Sequence, residues 1–456
     1  MQGFYDKDAL QLLIQRRTLA RDITTLSVND NISGRTYEIK AIRHVCEHFM
    51  ARQRKALLVM ATGTGKTRTT IGLVELLIKS NWVKRVLFLA DRQALVKQAS
   101  KAFKAHLPNS EVVNLFSLSH KEIQAARDAP LVLSTYDTII NCIDELQANG
   151  EREYGIAHFD LVIIDEAHRS IFRKFRSIFN YFDCLLLGLT ATHRNEIDRN
   201  TYQLFNLPNG EPTYHYDLEA AVTAGYLVPP KAHSVPTQFM REDIRYDDLS
   251  QEEQIEWDEL DWGEEEAADR IDAAAINSFL FNPNTIDQML EQLMRHGLHV
   301  ASGDRLGKSI IFARNQAHAD FIEERFNHHY PHLAGQFARV ISYKEPLAQS
   351  LIDDFAKSEA PPHIAISVNM LDTGIDIPAV INLVFFKMIH SKTKFYQMLG
   401  RGSRLAADLF GPGEHKSTFY IFDYCQNFEF FNANMPCLSS SQPPSEGVSL
   451  SYNSNA

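Results

Sequence analysis

The stretch ALLVMATGTGKT, residues 56–67, decides how the rest of this chain is read. Five apolar residues, Ala56 to Met60, run directly into ATGTGKT at 61–67, and a helical pattern follows. That order is a buried strand, a glycine-bearing turn and a helix, the context in which a phosphate loop works. Gly63, Thr64 and Gly65 form the turn, and the two glycines let backbone amides point inward around phosphates. The helix behind them adds its positive N-terminal end. Lys66 then reaches the β and γ phosphates, and Thr67 supplies a hydroxyl to Mg²⁺. The expected ligands are ATP and Mg²⁺.

Further along, LVIIDEAH at 161–168 ends a second apolar run with Asp165, Glu166 and His168 at its carboxyl end. An acid there suits Mg²⁺, which keeps much of its water and takes few protein ligands, so Asp165 is the candidate metal holder. Glu166 is placed to polarise an attacking water as general base. Near the other end, QMLGRGSR spans Gln397 to Arg404 on a helix and its exit. A guanidinium delivered from a separate domain stabilises charge on a transferring phosphoryl group and couples hydrolysis to closure. That role is expected of Arg404 first and Arg401 second, with Gln397 among the nucleotide contacts.

Short apolar runs alternate with helical patterns twice over, which predicts parallel strands joined by crossover helices in two units. The expected strands are Ala56 to Met60, Arg85 to Ala90, Leu131 to Ser134, Leu161 to Ile164 and Leu185 to Leu189 in the first half. In the second they are Ser309 to Phe312, Arg339 to Ile341, Ile364 to Ser367, Ile381 to Phe386 and Thr418 to Phe422. Ligands of such sheets bind beyond the carboxyl ends of the strands, so two facing sheets create a cleft at their loops. A length of 456 residues fits this, because single cores stop growing at about 250–300 residues. The expected layout is an N-terminal helix and linker over 1–34, a first domain over 35–230, a second over 231–430 and a disordered tail over 431–456. Pro229 and Pro230 mark the crossing between domains.

The net charge of -11 is unusual for a protein that grips phosphate, but it is unevenly spread. Between Arg241 and Asp272 there are 15 acids and 3 bases, a block of -12, so the remainder is close to neutral. That block is expected to be a solvated insertion. Five scattered cysteines lack metal or disulfide spacing. With no long apolar run and no secretory signal at the start, the chain is expected to be cytoplasmic and free of membrane contact.

Together these motifs resemble superfamily 2 helicases and translocases of the DEAH-box kind over most of residues 35–430. The resemblance includes FLADRQALVKQ (88–98), STYDT (134–138), GLTATH (188–193), IIFARNQAHA (310–319) and VNMLDTGIDIP (368–378). It implies an α/β protein of two tandem RecA-like domains with parallel sheets and an interdomain ATP cleft. It also implies nucleic-acid backbone contacts for Arg92, Thr135, Arg314 and Thr373, and a role in relaying nucleotide state for His168, Thr190 and Thr192. Gly374 and Asp376 would lie at the ATP cleft.

Longer strings are similar to the R subunit of type I restriction enzymes: LLIQRR (12–17), VNDNISGRTYEIKAI (28–42), NTYQLFNLPNGEPTYHYDLEAAVTAGYLVPPK (200–231) and LVFFKMIHSKTKFYQMLGRGSRL (383–405). This resemblance implies an ATP-dependent translocase on double-stranded DNA that partners modification and specificity subunits in the full-length protein. A DEAH-type DNA or RNA helicase of repair or RNA metabolism is the alternative, and an ATP-gated binding switch ranks lowest. Three departures stand out. Met60 occupies the first glycine position of the strict phosphate-loop pattern, and His193 replaces a frequent proline. Glu38 stands where the family usually has the glutamine that reads adenine, and a carboxylate accepts but does not donate. With only about 34 residues before the motor, the chain is expected to lack the family's nuclease domain, and nuclease activity is not expected of it.

Overall fold

The computed structural model describes residues 10–11, 14, 18–144, 152–167, 171–192, 194, 197, 199–233, 280–343, 345, 347–372, 376–431 and 437–438. The acidic block, most of the expected N-terminal helix and nearly all of the expected tail lie outside these residues, as do His168, His193, Thr373 and Gly374.

Helix α1 (Thr36–Met50) leads into strand β1 (Lys55–Met60), the phosphate-loop segment and helix α2 (Lys66–Lys79). There follow β2 (Val86–Ala90), α3 (Gln93–His106), β3 (Val112–Asn114), α4 (His120–Ala125), β4 (Leu131–Thr135) and α5 (Tyr136–Asp144). Next come β5 (Leu161–Ile164), α6 (Ile171–Tyr181), β6 (Leu185–Thr190), α7 (Arg199–Leu204), β7 (Tyr214–Tyr216) and α8 (Leu218–Thr223). The seven strands form one parallel sheet in the order β3-β4-β2-β5-β6-β1-β7.

This sheet is covered on both faces, which is why β1 is apolar from Ala56 to Met60 instead of alternating. Leu58 and Met60 point into one core with Ala41 and Val45 of α1, Ile71 and Val74 of α2 and Phe103 of α3. Leu57 and Val59 point the other way, into a core with Ile139 of α5, Ile178 of α6 and Tyr202 of α7. Gly188 in β6 permits close approach there: a Cβ would sit 2.3 Å from the Phe205 ring.

The second sheet begins with β8 (Pro230–His233) and continues after α9 (Pro283–His296) and the short antiparallel pair β9 (His299–Val300) and β10 (Arg305–Leu306). Then come β11 (Lys308–Ala313), α10 (Gln316–His329), β12 (Ala338–Ile341), α11 (Ala348–Phe355) and β13 (Ile364–Ser367). Last are β14 (Val380–Phe386), α12 (Lys392–Leu399), β15 (Phe419–Asp423), α13 (Asn427–Phe430) and β16 (Cys437–Leu438). The order is β12-β13-β11-β14-β15-β8-β16, again parallel throughout. Alternate residues of β11 and β14 again feed two cores: Ile311, Val384 and Phe386 on one face, Ile310, Phe312, Leu383 and Phe385 on the other.

All ten expected strands are present, each within one residue at either end. Six short strands, β3, β7, β8, β9, β10 and β16, were not expected. Pro230 opens β8 as its first residue, the one place where a proline costs a parallel ladder little. The chain therefore crosses from the first sheet to the second between Tyr216 and Pro230. The amide of Val228 ties this crossing to the second domain by donating to the Ser403 carbonyl at 2.8 Å.

Candidate functional site

The loop after β1 is shaped before any ligand arrives. Gly63 and Gly65 hold φ of 98° and 85°, the left-handed region where only glycine is unstrained. The Thr64 hydroxyl donates to the Ala61 carbonyl at 2.7 Å and closes the turn. Lys66, the first residue of α2, donates to the Met60 carbonyl at 3.3 Å. Its pKa is lowered by burial, while the charges of Glu166 and Asp165 oppose that and those of Arg401 and Arg404 reinforce it. Lys66, two acids and two arginines from distant parts of the chain are thus electrostatic neighbours.

Asp165 and Glu166 follow β5, whose ladder to β2 and β6 carries them to the carboxyl end of the sheet. The Glu166 amide donates to Asp165 Oδ1 at 3.1 Å, and the Asp165 carbonyl accepts from the Tyr136 hydroxyl at 3.3 Å. Burial, with the Glu166 charge second, pushes Asp165 well above the ordinary carboxylate value of 3.8. A carboxyl held this way gains from a cation. Glu166 sits at φ 51°, a strained conformation for a residue with a side chain. That conformation turns the residue toward the second domain, where Gln397 Nε2 donates to Glu166 Oε2 at 3.1 Å.

From the second domain, α12 ends at Gly400 and presents Arg401 and Arg404. Arg404 Nη1 donates to the carbonyl of Gly63 in the phosphate loop, and its Nε pairs with Asp376 Oδ1 at 2.7 Å. Arg401 donates to the Gln397 carbonyl at 3.3 Å. Burial, and then the Arg404 charge, bring the Arg401 guanidinium down to about 10. Close packing fixes the approach, since a Cβ on Gly400 would lie 2.5 Å from Thr62 and one on Gly63 would lie 2.9 Å from Leu227.

The remaining candidates fall in several places. Thr190, at the end of β6, donates to the Thr192 hydroxyl at 3.1 Å and accepts from the Thr192 amide at the same distance, so the two act as one buried unit. Thr135 ends β4 and exchanges a hydrogen bond with Thr138 at 2.9 Å. Arg314 follows β11, and its amide donates to His318 Nδ1 at 3.2 Å. Arg92, after β2, reaches across the cleft: its Nη1 donates to the Tyr343 hydroxyl at 2.8 Å and to the Asn369 carbonyl at 3.3 Å.

Three buried lysines, Lys308, Lys387 and Lys416, escaped the sequence reading, and the last two bear on the cleft. Lys416 donates to the Pro378 and Val380 carbonyls at 3.0 and 2.6 Å, fixing the segment that carries Asp376, and burial brings it down to about 7. Lys387 pairs with buried Asp372 at 3.0 Å and donates to Asn369 Oδ1 at 3.0 Å. The only sequence signal for either is a lysine flanking an apolar strand.

Can these residues hold a magnesium nucleotide? The loop is a cradle that a Cβ at Gly63 would spoil, and Lys66 offers donors beyond its single long bond. Thr67 and a desolvated Asp165 supply the hard oxygens that Mg²⁺ takes. The donor set fits. Among the described residues no helix is long and apolar enough to cross a membrane.

Comparison with known proteins places this geometry. Residues 31–195 match the family described as "Type III restriction enzyme, res subunit", and residues 286–406 match "Helicase conserved C-terminal domain". The EcoKI type I restriction endonuclease subunit of Escherichia coli K12 is 30% identical over 438 residues, covering 85% of this chain and 34% of that protein. The EcoAI endonuclease subunit of Escherichia coli is 27% identical over 414 residues, covering 88% of this chain and 47% of that protein. The chain therefore spans about a third to a half of these relatives. A fragment of an HsdR subunit of a type I restriction enzyme from Vibrio vulnificus YJ016 superposes with a TM-score of 0.66 at 23% identity, covering 95% of this chain and 72% of the fragment. Two facing parallel sheets, a phosphate loop on one and an arginine pair on the other agree with these matches: the chain carries two RecA-like domains of helicase type and is similar over both to type I restriction endonuclease subunits.

Proposed function

We propose that this chain is an ATP-driven motor that moves along double-stranded DNA, the engine portion of a type I restriction R subunit. The observation that carries the proposal is the pair of cross-domain bonds: Arg404 to Gly63 and Gln397 to Glu166. They bring residues of both domains to one phosphate loop, so a hydrolysis cycle there can be converted into relative domain motion.

ATP enters with its phosphates in the amides of Gly63, Thr64 and Gly65, and Lys66 holds the β and γ groups. Mg²⁺, held by Thr67 and Asp165, would neutralise phosphate charge. Glu166 polarises the water that attacks the γ phosphorus, and the bond to the β–γ bridging oxygen breaks to leave ADP and phosphate. Arg404, with Arg401 behind it, stabilises charge on the transferring group; a finger of this kind contributes about 10³–10⁵ in rate. Once the γ phosphate departs, Arg404 loses that contact and the cleft reopens. Thr190 and Thr192 couple that change to the loops after the strands, where Arg92, Thr135 and Arg314 grip the phosphate backbone. In the complete enzyme, modification and specificity subunits supply the target site.

Steady-state ATP turnover with and without duplex DNA tests this reading. Wild-type turnover is expected to rise with duplex, and Lys66→Ala to lose it without a change in melting temperature; intact turnover in that variant sinks the nucleotide assignment. Displacement of a third strand from a triplex, with the duplex left paired, is the outcome expected of translocation. Separation of the duplex strands instead would make the protein a helicase.

A further inference from the structure

Arg92 grips a backbone phosphate in the proposed motor, yet its guanidinium is engaged on both edges. Nη1 donates to the Tyr343 hydroxyl at 2.8 Å and to the Asn369 carbonyl at 3.3 Å, both on the second domain. On the other edge, Nε faces Asp91 Oδ2 at 3.5 Å. The guanidinium carbon also lies 5.6 Å from the centroid of the Tyr343 ring. A planar fork grips phosphate best with two parallel N–H groups, from Nη1 and Nη2 or from Nε and Nη2. Each of those pairs has one member committed.

The two partners on the second domain are not held equally. Asn369 sits at φ 58°, a left-handed conformation that asparagine tolerates, and its Oδ1 accepts from Lys387 at 3.0 Å and from Lys394 at 3.2 Å. Lys387 is paired in turn with buried Asp372. The Asn369 carbonyl is therefore fixed by its own network. Tyr343 lies just beyond β12 and is 56% exposed, and the Arg92 side chain is 31% exposed, so a DNA strand can reach the bond between them. A phosphate oxygen, being charged, is the stronger acceptor of the two. Resting on the backbone grip assigned to Arg92 above, we propose that Tyr343 is a built-in competitor for DNA. Its hydroxyl ties Arg92 to the second domain, and a backbone phosphate takes its place. Gripping DNA thus releases one tie between the domains.

Binding of a short fluorescein-labelled duplex, followed by anisotropy over a range of salt concentrations with Mg²⁺ and no nucleotide, tests this exchange. Tyr343→Phe keeps the ring over the guanidinium and removes only the hydroxyl. It is expected to bind duplex about threefold to tenfold more tightly than wild type, the scale of one partly exposed hydrogen bond. Its salt dependence is expected to match that of wild type, because the number of phosphates neutralised is the same. Arg92→Ala is expected to weaken binding and to lower the salt slope by about one. In that background Tyr343→Phe is expected to change affinity by less than about twofold, since the residue it competes for is gone. Melting temperatures accompany each variant. A Tyr343→Phe affinity within about twofold of wild type, or weaker, overturns the inference, because the hydroxyl would then orient Arg92 instead of competing for it. So does an undiminished gain in the Arg92→Ala background. If Arg92→Ala leaves both affinity and salt slope unchanged, the backbone grip assigned to Arg92 falls, and this inference with it, while the ATP assignment stands.

Discussion

The two halves of the candidate site are built in different ways. On the first sheet, the phosphate loop and the Asp165–Glu166 pair are made by local sequence: a strand, a turn with two left-handed glycines and a helix start in one case, a strand end in the other. On the second, Arg404 owes its position to partners far along the chain. Asp376 holds its Nε, Lys416 fixes the segment carrying Asp376, and the Gly63 carbonyl receives its tip. A preformed cradle therefore faces an arm held by replaceable polar contacts. The difference teaches where the moving part lies. On the proposed function, the cradle keeps its shape through a cycle and the arm exchanges the Gly63 carbonyl for a γ phosphate.

Removing chemistry from the rigid half has the largest expected effect. Glu166→Gln keeps the left-handed backbone and a group that can still meet Gln397, but loses the base. Turnover is expected to fall by roughly 10²–10⁴, with ATP affinity within a few-fold; a fall of less than tenfold would remove Glu166 from the reaction. A single-turnover assay with radiolabelled ATP separates the two quantities.

Next comes the seam between the halves. Gly63→Ala forces a side chain into φ 98° and against Leu227. A loss of about 1–3 kcal/mol is expected, seen as a drop of several degrees in melting temperature. An unchanged melting curve would show that the cradle is softer than its backbone angles imply.

The smallest effect is a gain in stability. Asp165 has a folded pKa above its unfolded value, because burial and Glu166 penalise its charge. The folded state therefore loses stability as pH rises from the ordinary carboxylate value toward the raised one. Asp165→Asn removes that penalty, so the variant is expected to melt a few degrees higher than wild type at pH 8, with the difference shrinking as pH falls and gone below the ordinary carboxylate value, while losing hydrolysis. A lower melting point at pH 8 would mean that the carboxylate stabilises the cleft without metal.

How much of this was legible in the sequence follows the same division. Residues 56–67 and 161–166 announce their structure because each packs strand, turn and chemistry into a dozen residues or fewer. The buried strands read clearly because both faces are apolar, as Leu57 to Met60 illustrate. Strands β7 and β8 did not, being three and four residues long and interrupted by partly exposed tyrosine, histidine and lysine. Nor did the partners of Arg92. The resemblance implies a nucleic-acid contact there, and the structure shows its side chain bonded to Tyr343, 251 positions away. No local pattern encodes such a pairing. Lys416 and Lys387 were silent for a related reason, since a lysine beside a strand reads as solvated until the fold buries it.

The most direct test of a site shared between two domains is Arg404→Ala, measured for ATP binding and for single-turnover hydrolysis on the same preparation. The account predicts ATP affinity within about fivefold of wild type and hydrolysis slower by roughly 10³ or more, because the cradle is complete without the arm and the transition state is not. Hydrolysis within tenfold of wild type would contradict it, and would confine the chemistry to the first domain.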